Sequence, residues 1–224
     1  MIDFQRLNGL TWGILLLNIL ITLGFMLLGY FVGTIPTGYL VARARGIDIQ
    51  KMGSGNIGAT NVLRSVGLGP ALLVLLLDPL KGFLATLFPL LLLQDTWTIA
   101  LTALATVLGN NFNIFLKLKG GKGIATSMGA FLAIDPVATL LSIVVGVATI
   151  YLGRYVSLGS MIGLLAAPLM LLSRGNFVPA YFYLAVALAI LAFARHKENI
   201  KRLANGVERR LGEKARTTPL EENP

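Results

Sequence analysis

The stretch GLGPALLVLLLDPLKGFLATLFPLLLL, residues 67–93, decides the fold. Its apolar residues run past the roughly 20 positions that a helix needs to cross a bilayer. Yet Asp78 and Lys81 stand near its centre. Charged side chains at that depth are costly and normally pair with each other or face a cavity. Their spacing of three puts both on one helix face, so mutual pairing is preferred here over direct catalysis.

The surroundings repeat this pattern. The chain has 224 residues, 55% hydrophobic and 13% charged, with a mean hydropathy of +0.77. Soluble domains carry about 25% charged residues, so the composition specifies an all-α integral membrane protein. Seven apolar segments can be drawn, at 12–42, 67–93, 97–116, 124–134, 136–152, 156–173 and 177–194. The first lacks a basic leader and a cleavage site and reads as a transmembrane helix. The fourth is short, and Pro136 separates it from the fifth. A hairpin lining a cavity is expected there, with one bent span as the alternative. With no cysteine, disulfides, thiol nucleophiles and thiolate metal sites are excluded.

Basic residues set the orientation. With seven spans, sixteen of the nineteen Lys and Arg fall on one side; Arg6 and Arg174 lie opposite, and Lys81 lies within a span. The bias predicts an N-out, C-in topology. The net charge of +9 is therefore read as topology and contact with anionic membrane lipids, with no nucleic acid as partner.

The polar stretches then gather on the cytoplasmic side. GSGNIGATNVLR, residues 53–64, combines Gly53, Gly55 and Gly58 with Ser54, Asn56, Thr60, Asn61 and Arg64. Glycines let the backbone approach a ligand, successive N–H groups form an anion nest, and arginine offers a phosphate-matching fork. The plain alternative is a flexible loop with one topology-setting arginine. KLKGGKGIATSMG, residues 117–129, places Lys117, Lys119 and Lys122 around Gly120, Gly121 and Gly123, just before an apolar segment. Lysines beside a helix N-terminus make an anion site; a basic turn is the bland reading. Lys122 precedes glycine rather than Ser or Thr, so this is not a nucleotide-binding P-loop.

Two further stretches are weaker alone. Ser157 and Ser160 stand at helical spacing in RYVSLGSMIG, residues 154–163, where serine often serves packing. In residues 195–216, Ile200, Leu203, Val207 and Leu211 recur at helical spacing among basic residues. That pattern predicts an interfacial amphipathic helix. His196 and Asn199 there face one way. The expected organisation is a polytopic domain over 1–195, an amphipathic helix over 196–216 and a polar end at 217–224.

Together, GSGNIGATNVLR, DPLKG, FLKLKGGKGIATSMG, YVSLGS and HKENIKRLANGVE, in that order, resemble the acyl-phosphate:glycerol-3-phosphate acyltransferase (PlsY) family. The resemblance implies a seven-helix bacterial inner-membrane enzyme with a cytoplasmic-face active site. It implies Ser54, Arg64 and Lys122 around phosphate, with Ser160, His196 and Asn199 completing the pocket. Gly53, Asn56, Thr60, Asn61, Lys119, Gly120, Gly121, Gly123 and Asn110 are expected to bind substrate. One departure stands out: the family usually has histidine where LGNNFNIF places Asn110.

The implied reaction moves a fatty acyl group from acyl phosphate to the 1-hydroxyl of sn-glycerol 3-phosphate. The products are lysophosphatidate and inorganic phosphate. A soluble acyl-phosphate-producing enzyme is the implied functional partner. No cofactor is expected, and no metal, since carboxylates and histidines do not cluster in the sequence. The soluble-donor acyltransferases' His-x-x-x-x-Asp pair is absent, because Lys201 stands five residues after His196. The general base is either His196 or a phosphate oxygen of the donor, and the second is favoured. An anion or organophosphate transporter is the alternative, explaining the basic loops but not their gathering on one face.

Overall fold

A computed structural model describes the backbone of residues 4–213 and the side chains of residues 12–213, residue 176 excepted. Among these residues every regular element is helical. In chain order they are α1 (Phe4–Gly33), α2 (Thr37–Arg43), α3 (Ala59–Ser65), α4 (Leu68–Leu92) and α5 (Thr96–Asn111), then α6 (Ile124–Ile134), α7 (Pro136–Gly153), α8 (Val156–Ser173), α9 (Pro179–Arg195) and α10 (Lys197–Ala204). Short 3-10 turns occupy Ile49–Lys51 and Ile114–Leu116.

Each expected apolar segment is helical. Five helices are long and apolar enough to cross a membrane, and a sixth is added if α9 is counted with α10 across a 62° bend. α6 has 11 residues, about 16 Å at the α-helical rise, and falls short of the roughly 30 Å hydrocarbon core. It is instead an internal helix, its buried residues packed with α5, α8 and α9. Asp135 ends α6 and caps α7, accepting from Ala138 N at 2.9 Å, with Pro136 at the first helical position. Both α6 and α7 line the main cavity, as the hairpin reading requires.

The first apolar segment breaks at Thr34–Pro36, since proline cannot continue a helix. The break leaves the Ile35 carbonyl available to the Lys81 ammonium at 3.1 Å. Asp78 and Lys81 do pair, at 2.7 Å, and Thr37 Oγ1 donates to the same carboxylate oxygen at 2.5 Å. Buried threonines on α4 and α5 return their hydroxyls to carbonyls one turn back.

The chief helix pairings are α4 with α6, α7 with α8 and α1 with α5. In lipid such contacts depend on close backbone approach rather than on water exclusion. A Cβ on Gly129 would lie 1.9 Å from the Pro79 carbonyl oxygen, and one on Gly82 would lie 2.1 Å from that of Thr126. These two glycines let α4 and α6 touch backbone to backbone on either side of the charged pair. Gly129→Ala should therefore cost about 1–3 kcal/mol through overpacking and lower the melting temperature in detergent. Gly24→Ala, with nothing within 4 Å of the added methyl, should not; equal melting of the two variants would refute the packing argument.

Candidate active site

The loops at one end of the bundle converge on a cavity of about 400 Å³. Its mouth is lined by Ser54, Asn56, Thr60, Asn61 and Arg64, by Gly121, Lys122 and Gly123, by Ser160, and by His196, Asn199, Arg202, Glu208 and Arg209. Its deeper wall is largely apolar, with Leu75, Pro79, Met128, Ile143, Val147 and Ile150. Gly146 on α7 faces Gly159 and Gly163 on α8, so this wall is thin and smooth.

The donor-rich loop is built around Asn61. Its buried side chain accepts from Ser54 N at 3.0 Å and donates to Met52 O at 3.0 Å and Asn56 O at 2.8 Å. Gly53 lies at φ 59°, and a Cβ there would meet the Asn61 amide oxygen at 2.3 Å. Asn61 and Gly53 thus shape the loop from within, while Ser54 stays exposed and Arg64 half-buried at the cavity edge. Burial, then the neighbouring Arg209, lowers the Arg64 pKa from its ordinary value.

The second loop turns one lysine inward. Lys117 and Lys119 are exposed; Lys119 is held through its backbone, its N–H donating to Leu116 O at 3.0 Å and its carbonyl accepting from Gln50 Nε2 at 3.1 Å. Lys122 reaches across the mouth to Asn199 Oδ1 at 2.5 Å. Gly123, at φ 78°, starts α6, whose first residues, Ile124 to Thr126, line the cavity with the helix's free N–H groups. Gly120 packs on the Asn110 and Asn111 carbonyls and, like Gly53 and Lys119, lies outside the cavity wall.

Lys122 begins a chain of contacts. Asn199 Nδ2 donates to Glu208 Oε1 at 2.6 Å, and Ser157 Oγ donates to the same oxygen at 2.8 Å. Arg202 Nε closes on Oε2 at 2.7 Å. Burial alone would raise the Glu208 pKa, but the hydrogen bonds from Asn199, Arg202 and Ser157 outweigh it and hold the carboxyl below its usual value. Burial pushes the Lys122 amine down to about 8, further lowered by Arg202, Arg195 and Arg64 against the opposing pull of Glu208. His196 is buried, and burial with the nearby Lys122 charge pushes it down to about 4. Its Nδ1–H donates to the Ala192 carbonyl at 2.7 Å, leaving Nε2 a bare acceptor.

Glu208, Arg202, Arg209 and Ser157 were not singled out as site residues by the sequence. The expected helix over 196–216 ends at Ala204, because Gly206 at φ 69° closes it with bonds from Gly206 N to Leu203 O and from Val207 N to Arg202 O. The chain then turns Glu208 inward, and Leu211 N donates to Arg154 O at 2.7 Å. The Asn205–Gly206 pair was the available stop signal. The polar end expected at 217–224 lies outside the described residues. Asn110 is buried in the cavity wall and accepts from Lys81 Nζ at 2.8 Å. Among the described residues no three His, Asp or Glu side chains are placed to hold a metal ion.

A cationic mouth over an apolar slot, inside a bundle of membrane-crossing helices, defines a membrane protein whose cavity matches an anionic head joined to an apolar tail. The family model described as glycerol-3-phosphate acyltransferase matches residues 23–206. The chain is 49% identical over 191 residues to a glycerol-3-phosphate acyltransferase of Thermus thermophilus, covering 85% of this chain and 95% of that protein. It is 41% identical to glycerol-3-phosphate acyltransferase 2 of Thermotoga maritima, covering 84% and 95%. Among solved structures it resembles PlsY (YgiH), an integral membrane glycerol 3-phosphate acyltransferase, in its glycerol 3-phosphate form. That match has a TM-score of 0.82 at 38% identity, covering 85% of this chain and 96% of that one. The same enzyme's lysophosphatidic acid form matches with a TM-score of 0.80. The chain belongs to the glycerol-3-phosphate acyltransferase (PlsY) family.

A lysine with a pKa near 8 gives the site a pH signature. Anion binding needs the protonated amine, so affinity for a phosphate monoester should fall as pH rises through about 8. Below that, affinity should rise as the ligand loses its second proton near pH ~6. Lys122→Arg should carry the alkaline limb beyond the measurable range, because guanidinium stays charged. Titration calorimetry from neutral to alkaline pH checks this, and an unmoved limb in the variant would assign it to another group.

Proposed function

We propose that the chain catalyses transfer of a fatty acyl group from acyl phosphate to the 1-hydroxyl of sn-glycerol 3-phosphate, giving lysophosphatidate and inorganic phosphate. It does so at the cytoplasmic face of a bacterial inner membrane, with about seven membrane helices, N-terminus out and C-terminus in, the short α6 being counted as a crossing completed by the loop before it. The observation that carries this reading is the two-part cavity, with Arg64 and Lys122 at its mouth and an apolar slot behind them. An acyl phosphate has the same two parts, a dianionic head and a hydrocarbon tail. The solved relative in its glycerol 3-phosphate form supports the acceptor.

In the proposed reaction Arg64, Lys122, Ser54 and the α6 N-terminus hold the phosphates, and Asn199 fixes the lysine amine. Ser160 and His196 Nε2 orient the acceptor hydroxyl. The glycerol oxygen attacks the acyl carbonyl carbon, the carbonyl-carbon-to-phosphate-oxygen bond breaks, and the hydroxyl proton passes to an oxygen of the departing phosphate. With its pKa near 4, His196 is a weak base. A phosphate oxygen is the better proton acceptor, so the donor substrate supplies its own base. The enzyme's contribution is orientation and charge stabilisation.

Purified protein given palmitoyl phosphate and labelled glycerol 3-phosphate should release lysophosphatidate and phosphate in equal amounts. The parallel reaction with acyl-CoA should give none. Lys122→Ala should lower turnover by about 10²–10³-fold, as loss of a preorganised donor does. No product from well-folded protein, with anion uptake into liposomes, would establish a transporter instead. His196→Gln should retain turnover within a small factor. A fall of several orders of magnitude with substrate binding intact would make His196 the base and overturn the substrate-assisted step.

A further inference from the structure

The charged pair in α4 lies beneath the site and touches no group that the proposed reaction uses directly. Lys81 and Asp78 are 6% and 8% exposed, so both are buried, with Asp78 set into the deep wall of the cavity. A lysine ammonium has three donors and no acceptor. All three are met, by Asp78 Oδ1 at 2.7 Å, Asn110 Oδ1 at 2.8 Å and the Ile35 carbonyl at 3.1 Å.

The Asn110 contact has a direction. With its oxygen fixed on Lys81, its amide nitrogen faces the other way and donates to Asn111 Oδ1 at 3.1 Å. The same nitrogen lies under Gly121, 2.8 Å from where a Cβ would stand. The Asn111 oxygen lies under Gly123, 2.6 Å from the corresponding position. The backbone carbonyls of Asn110 and Asn111 accept from Gly121 N at 2.9 Å and Gly120 N at 3.3 Å. Arg195 binds the opposite side of the loop through the Gly121 and Gly120 carbonyls, at 3.0 and 3.4 Å. Lys122, between these glycines, is the one loop lysine that reaches the cavity mouth.

We infer that Asp78 and Lys81 are positioning residues for Lys122. Lys81 polarises and orients the Asn110 amide, that amide orders Asn111, and the two asparagines form the platform on which the glycine loop is seated. Asp78 holds the lysine aimed at Asn110. This rests on the reading that Lys122 grips a substrate phosphate.

The test must separate positioning from simple stability, because a lone buried charge destabilises any fold. Lys81→Met, Asp78→Asn and the double variant are compared by melting temperature, by affinity for inorganic phosphate, and by KM for glycerol 3-phosphate against kcat. Each single variant should melt lower. The double variant, with no unpaired charge, should recover most of that melting loss. Its phosphate affinity should nevertheless stay about tenfold below wild type, with KM raised by a similar factor and kcat lowered too, as expected when a gripping group is slightly misplaced.

Asn110→Asp supplies an independent arm. It keeps an acceptor for Lys81 but loses the donor to Asn111, and should show the same loss of phosphate affinity. Wild-type affinity and KM in the double variant would overturn the inference, as would unchanged affinity in Asn110→Asp. Wild-type protein that neither binds phosphate nor acylates glycerol 3-phosphate would overturn the acyltransferase reading, and this inference with it.

Discussion

The site depends on how the Lys122 amine is kept charged yet unclaimed. Its nearest partner is an amide oxygen, that of Asn199, and the carboxylate stands one step behind it, on Glu208. A direct lysine–carboxylate pair would have to be broken before a phosphate could bind, at the cost of stranding a buried carboxylate. Placing Asn199 between them keeps the amine fixed in direction while its charge remains available. Glu208 in turn is satisfied by Ser157, Asn199 and Arg202 rather than by Lys122. The lowered lysine pKa is the cost of that arrangement, and a bound phosphate dianion offsets it.

The membrane shapes everything that supports this contact. Irregular backbone is tolerated in lipid only where protein or a water-filled cavity surrounds it, so the polar machinery is gathered at one end in loops and in the short helices α3 and α10. Below it, helices meet through backbone contact at Gly82 and Gly129, and α6 stays shorter than the bilayer core. A short internal helix has a use here. Its N-terminus starts at the depth of the cavity, so its free N–H groups and the preceding Lys122 face the same space. A full-length span in that place would have carried those groups out to the surface.

The apolar segments and the Asp78–Lys81 pairing were legible because each leaves a local mark, a long run or a fixed spacing; Arg64 and Lys122 stood in clusters of donors, whereas Ser160, His196 and Asn199 were joined to them only through the family resemblance. What was not legible depends on direction in space. Sequence gives no reason for Lys119 to point outward when Lys122 points inward; the turn through Lys117 and Leu118, both at positive φ, decides that. Asn61 reads as a donor offered to a ligand, yet its amide is used up in shaping its own loop. Glu208 was hidden by periodicity, since Val207 and Leu211 extend the apolar spacing of α10 past the glycine that ends it.

Charge at the mouth bears on where the proton goes. Arg64, Lys122, Arg202 and Arg209 line it with Glu208, and Arg202 is paired with that carboxylate. Among the described residues Arg64, Lys122 and Arg209 have no carboxylate partner and face the cavity. Under the proposed reaction the two substrate phosphate groups bring about −1.5 to −2 each, so a filled site would be close to neutral and slightly negative. Passing the proton to His196 instead would place a positive charge on a buried imidazole and release phosphate as a trianion, two charges that are costly to bury. Moving the acceptor's proton onto the departing phosphate as the bond breaks leaves the total charge at the mouth unchanged. Three cations without a carboxylate partner among the described residues, beside a weakly basic histidine, support the proposed reaction in which the leaving group takes the proton.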